Sequence, residues 1–199
     1  MSNNAAGSVL SPEAGPKRRR LLIAVAVLCV GLVVGAILVS ALQPNPPAEE
    51  GWLFVGAYAD YEGKTSIMWF SFSFSVNLKV LDFNDTHAFM LTSFKMESNA
   101  GETVENETST WVELSNFNFM GAFSDNNLTA SYDATVNFGS LGTRSCTVYE
   151  YATDGPTMTV YVDKEIGWPL KMKATMTGED SISLSLDINL VDTNIPALN

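Results

Sequence analysis

From Met68 to Val80 the chain alternates without a break. Met68, Phe70, Phe72, Phe74, Val76, Leu78 and Val80 fall on one side, and Trp69, Ser71, Ser73, Ser75, Asn77 and Lys79 on the other. A period of two predicts a strand with one apolar and one wet face, as in an antiparallel sheet. The same alternation recurs in Ala130–Phe138, Met158–Val162, Leu170–Met176 and Ile182–Leu190. Turn chemistry separates the runs: Glu62-Gly63-Lys64, Asn84-Asp85-Thr86, Asp125-Asn126-Asn127, Gly139 to Gly142, Asp154-Gly155-Pro156, Gly167-Trp168-Pro169 and Gly178-Glu179-Asp180. The pattern predicts strands over 52–61, 65–82, 87–96, 109–119, 129–138, 143–151, 157–163, 170–177 and 181–191, with Ser98 to Thr108 as a longer, acidic, mobile loop. No amphipathic helix of useful length follows residue 51. The predicted fold class is therefore all-β, an antiparallel meander. A sheet of this size with one apolar face and no helix to cover it curls into a barrel or half-barrel.

The period is different ahead of this body. Leu21 to Leu42 has 22 residues, no charge and only Ser40 as a polar side chain. As a helix it reaches about 33 Å, enough for a ~30 Å hydrocarbon core. Lys17-Arg18-Arg19-Arg20 abut its start and Glu49-Glu50 follow its end. The basic flank predicts a cytoplasmic N-terminus and an extracytoplasmic body in the plasma membrane. Val39-Ser40-Ala41 also has the small residues of a signal cleavage site, so cleavage after Ala41 stays open. Gly31 and Gly35 have the spacing that packs two membrane helices together, and they are the candidate contact for a homodimer. The predicted organisation is a basic tail over 1–20, an anchor over 21–42, a proline-rich linker over 43–51, a β domain over 52–194 and a short tail over 195–199.

Charge sharpens this division. Of 22 Asp and Glu, only Glu13 precedes the anchor, whereas four of the 11 Lys and Arg do. The part after Leu42 holds 21 acids and 7 bases, a net of −14. Such a body repels nucleic acid, which excludes that partner class. Cys29 falls inside the apolar segment and Cys146 in the body, so the body has no internal disulfide and Cys146 is expected buried and unpaired.

Chemistry is sparse. His87 is the single histidine and sits beside a turn. No exposed-nucleophile motif, paired-cysteine zinc spacing or glycine-rich phosphate loop is present, so the sequence points to no enzyme, metal or cofactor. Asp125-Asn126-Asn127 offers oxygen ligands but lacks the twelve-residue spacing of a calcium loop. Asn84, Asn106 and Asn127 each open a glycosylation sequon, and all three fall in predicted turns or loops, where a glycan fits.

Thr159-Val-Tyr-Val-Asp163 followed by Gly167-Trp-Pro-Leu-Lys-Met172 resembles the closing hairpins of the periplasmic lipoprotein-carrier fold, over about 50 residues from Arg144 to Asn194. The chain is also similar to single-anchor archaeal surface proteins. The carrier resemblance implies a half-barrel around an apolar cavity, which in that family helices plug and here none is available to plug. On that reading Met68, Phe70, Phe72 and Phe74 form a candidate apolar face for a lipid or other hydrophobic ligand. The alternative is a structural or adhesive cell-surface protein without a small-molecule ligand.

Overall fold

The computed structural model describes residues 52–67, 70–114, 128–152, 157–177 and 183–198. The anchor Leu21–Leu42 with Cys29, Gly31 and Gly35, the cleavage site after Ala41, the linker, Met68, and Asp125-Asn126-Asn127 with its sequon lie outside the described residues. Among the described residues no helix is long and apolar enough to cross a membrane.

Among the described residues, nine strands form one antiparallel sheet: β1 (Tyr58–Ile67), β2 (Phe70–Phe83), β3 (His87–Ser98), β4 (Thr103–Glu113), β5 (Leu128–Asn137), β6 (Thr143–Ala152), β7 (Thr157–Asp163), β8 (Pro169–Thr177) and β9 (Ser183–Thr193). Their order is β4-β3-β2-β1-β9-β8-β7-β6-β5. The all-β antiparallel prediction therefore holds, but the sheet is two meanders joined through the β1–β9 pair rather than one. It is open, with β4 and β5 as its edges.

The apolar face is closed. Tyr61, Phe72, Phe74, Val76, Leu78 and Val80 from β1 and β2, and Val160, Leu170, Met172, Leu186, Ile188 and Leu190 from β7, β8 and β9, form a core in which none is more than 5 % exposed. Burial of each large side chain contributes about 1.5–3 kcal/mol. Two polar groups that enter the core find backbone partners. Thr65 Oγ1 donates to the Ser185 carbonyl at 2.8 Å, and the Tyr61 hydroxyl donates to the Pro169 carbonyl at 2.8 Å. Burial pushes the Tyr61 phenol well above its ordinary pKa.

Three boundaries differ from the sequence reading, each for a physical reason. Glu62-Gly63-Lys64 is not a turn but the middle of β1, and the first strand is displaced from 52–61 to Tyr58–Ile67. Pairing runs up to Ile67 opposite Phe70, on either side of residues 68 and 69. The acidic stretch predicted as a mobile loop forms a tight turn and then β4, paired with β3 from Thr103 to Glu113. Nearly all of β4 is exposed, so it has no apolar alternation to announce it. The last residues are not a free tail: Ile195 and Leu198 are 1 % and 0 % exposed, the latter in a 3-10 turn over Pro196–Leu198.

The hairpin that carries the carrier-fold resemblance forms as expected. Asp163 ends β7 with its carboxylate accepting from the Glu165 and Ile166 amides at 2.9 and 3.1 Å. Gly167 N donates to the Asp163 carbonyl at 2.9 Å with a φ of 69°, a conformation that favours glycine.

Candidate functional site

The wet face of β2 presents Ser73, Ser75 and Asn77 in succession, all short side chains. The register sets longer, mostly charged residues on both sides. Ser73 lies between Lys64 and Glu97, Ser75 between Glu62 and Lys95, and Asn77 between Asp60 and Ser93. Short residues on a central strand and long ones on its neighbours leave a groove along β2. It consists of two adjoining depressions of about 550 and 700 Å³, which share Glu62, Ser75, Lys95 and Val191.

The walls are held by side-chain contacts across strands. Lys95 Nζ lies 2.9 Å from Glu105, whose carboxylate raises the lysine pKa. Lys171 Nζ lies 3.4 Å from Asp187. Ser93 Oγ donates to Glu107 at 3.1 Å, and the Asn77 amide donates to the Asp60 carboxylate. At the β1–β9 bulge Asp60 is paired in register with Asp192, whose carboxylate accepts from the Tyr58 hydroxyl at 3.1 Å. The lining carboxylates of Asp60, Glu62, Glu97, Glu105, Glu107, Asp187 and Asp192 outnumber the ammonium groups of Lys64 and Lys95. The groove therefore offers hydrogen-bonding groups on a negative background, which favours a polar ligand of net positive charge. Among the described residues no group of three or more His, Cys, Asp or Glu is placed to hold a metal ion.

The sequence-predicted residues fall elsewhere. Phe72 and Phe74 are 3 % and 4 % exposed and belong to the core. The Phe74 ring lies 6.3 Å from that of Phe94, and the phenylalanine also borders the groove where Gly63 has no side chain. Phe70 opens β2 opposite Ile67. Asn84 lies in an exposed turn, its Oδ1 accepting from the Thr86 amide at 2.9 Å and the His87 amide at 2.8 Å. Asn106 is not in a loop but in the exposed edge strand β4, opposite Phe94. His87 Nδ1 lies 2.9 Å from Thr86 Oγ1. Cys146 is free and buried, as expected, and burial with the nearby Asp163 charge pushes its thiol up to about 11.

Sequence reasoning passed over the groove. The one local signal is the succession Ser71, Ser73, Ser75 and Asn77 on the wet face, and it becomes a site only through neighbours supplied by β1, β3, β4 and β9.

No protein-family model matches the sequence, and no curated protein matches it. Among solved structures the chain is similar to an S-type phycobiliprotein lyase from Guillardia theta (10% identity, TM-score 0.30, covering 74% of this chain and 97% of that one). It is also similar to a domain described as an outer membrane lipoprotein-sorting protein from Vibrio parahaemolyticus (13%, TM-score 0.28, 73% and 86%). A third likeness is to a designed fluorescence-activating β-barrel (11%, TM-score 0.23, 73% and 99%).

Proposed function

We propose that this chain is a single-pass membrane protein, anchored by Leu21–Leu42 with a cytoplasmic N-terminus, whose extracytoplasmic β domain is a binding module. Its ligand surface is the groove along β2, and its ligand is polar and carries positive charge. The observation behind this reading is the contrast between the two faces of one strand: Phe72 and Phe74 are closed into the core, while Ser73 and Ser75 floor an open depression. The module binds without turnover.

A hydrophobic ligand on the apolar face is the second reading. Met176 favours it, because this residue lies on that face opposite Leu184 and is 42 % exposed.

Two measurements on the full-length chain in detergent separate these readings. Titration with spermine, a small polycation, should give binding that weakens at least about tenfold in 0.5 M salt and in an Asp60→Asn/Glu107→Gln variant. Native mass spectrometry should then show protein without lipid. No response to spermine, together with co-purified lipid, would replace the groove by the apolar face.

A further inference from the structure

The exposed large apolar side chains are unevenly placed. Among the described residues they are Val55, Leu81, Phe83, Trp111, Leu128, Tyr132 and Met176. The first four gather at one end of the sheet. Gly56 N donates to the Val80 carbonyl at 2.8 Å, which sets Val55 beside Leu81. Phe83 is the last residue of β2, at the same end of the sheet and opposite Ala88. Trp111, 49 % exposed near the end of β4, stacks on Phe89 at 5.2 Å, and Phe89 is paired with Asp82. β1 begins at this end, so this is where the chain enters from residue 51.

We infer that this end of the domain rests on the bilayer surface, with Trp111, Leu81, Phe83 and Val55 in the headgroup region. The inference rests on the reading of Leu21–Leu42 as an anchor. Nine residues, 43–51, separate that segment from Trp52, and even fully extended they reach only about 30 Å. The end carrying the apolar rim is thus the end held next to the membrane. Tryptophan is the side chain most at home there, since its ring is apolar and its N–H finds water or headgroups. Asp82, Asp85 and Glu113 stand around the rim, so the surface suits zwitterionic rather than anionic lipid. The contact orients the domain and leaves the groove facing sideways, along β2, open to partners outside the bilayer.

The test uses the full-length chain reconstituted in phosphatidylcholine vesicles, with and without bromine on the upper acyl chain. The share of fluorescence due to Trp111 is the difference between the wild type and Trp111→Phe. Brominated lipid should lower this share at least about twofold. A protein that stays with the vesicles in alkaline carbonate while the Trp111 share is unchanged overturns the surface contact and leaves the anchor standing. A protein released by carbonate overturns both. Leu81→Asp in the same vesicles is the second variant: it should restore Trp111 emission in brominated lipid, and unaltered quenching there counts against the rim.

Discussion

Gly63 on β1 and Phe74 on β2 are paired across the sheet, and the phenyl ring fills the space where a side chain at position 63 would stand. A Cβ built on Gly63 would lie 2.3 Å from Phe74 Cζ and 2.7 Å from the Asp187 carbonyl oxygen. The second contact is to backbone and cannot be relieved by a rotamer change. Gly63→Ala should therefore destabilise the domain by about 3 kcal/mol. Shrinking the ring as well, in Gly63→Ala/Phe74→Leu, should recover little of the loss. Thermal unfolding followed by circular dichroism checks both variants, and a stability within experimental error of wild type would refute the crowding.

Phe72 tests whether the apolar face is a filled core. At 3 % exposure, truncation to Ala should cost about 3–5 kcal/mol through lost burial and the cavity left behind. Ser73→Ala, on the opposite face of the same strand, should change stability by well under about 1 kcal/mol. A Phe72→Ala loss below half the expected value would mean that the face is already wetted, and would revive the hydrophobic-ligand reading.

Asp163 holds the turn between β7 and β8 through one carboxylate oxygen shared by two amides. Asp163→Ala should lose about 1.5–3 kcal/mol, because the turn amides lose a charged acceptor in a buried place. Asp163→Asn keeps an oxygen at the same position and should restore much of that loss. Urea unfolding of the three proteins gives the comparison. Equal stability of the Ala and Asn variants would show that the turn does not depend on this acceptor.

Cys146 gives the domain an alkaline limit. Its thiol is raised from an ordinary 9.0 to about 11, first by burial and then by Asp163. The folded state thus keeps a proton that the unfolded state releases. This contribution is fully present below pH 9, declines as pH rises from there, and is gone above about 11. Cys146→Ala, studied beside wild type in a Cys29→Ala background, should show a shallower loss of melting temperature over that window. Parallel curves would assign the alkaline loss to other groups. In the same background, Cys146 should react with a thiol reagent at pH 8 only as fast as the domain opens.

Much of the fold was legible because most strands bury one face. The alternation around Phe72, Leu170 and Leu186 marks β2, β8 and β9 to within a few residues. Two failures have different causes. Gly63 sits between Glu62 and Lys64 and looks like a turn, since nothing local reveals that it makes room for Phe74. The first half of β4, Thr103–Thr108, reads as a loop because an edge strand exposed on both faces needs no periodicity, and Val104 and Val112 alone carry its inward side. Sheet order was beyond reach for a similar reason: the β1–β9 pair joins residues more than a hundred positions apart, and Tyr61 opposite Leu190 looks locally like any other strand pair. The groove shares that limit. Ser73 and Ser75 give its floor, but its walls come from strands whose neighbours only the folded sheet determines.

The strand order has a further implication. β1 starts and β9 finishes side by side, with Ala59 opposite Thr193, while β4 and β5 lie at opposite edges. If the chain were spliced from its C-terminus to Tyr58 and opened between β4 and β5, its strands would follow one another in the same sequence in which they already lie in the sheet. The protein is, in that sense, a circular permutant of a plain up-and-down ribbon. Among the described strands the one long-range pairing, β1 with β9, is the seam where the ribbon was rejoined, and forming that seam means closing a loop that spans most of the domain. The respliced chain would build the same sheet from neighbouring hairpins alone and should fold faster.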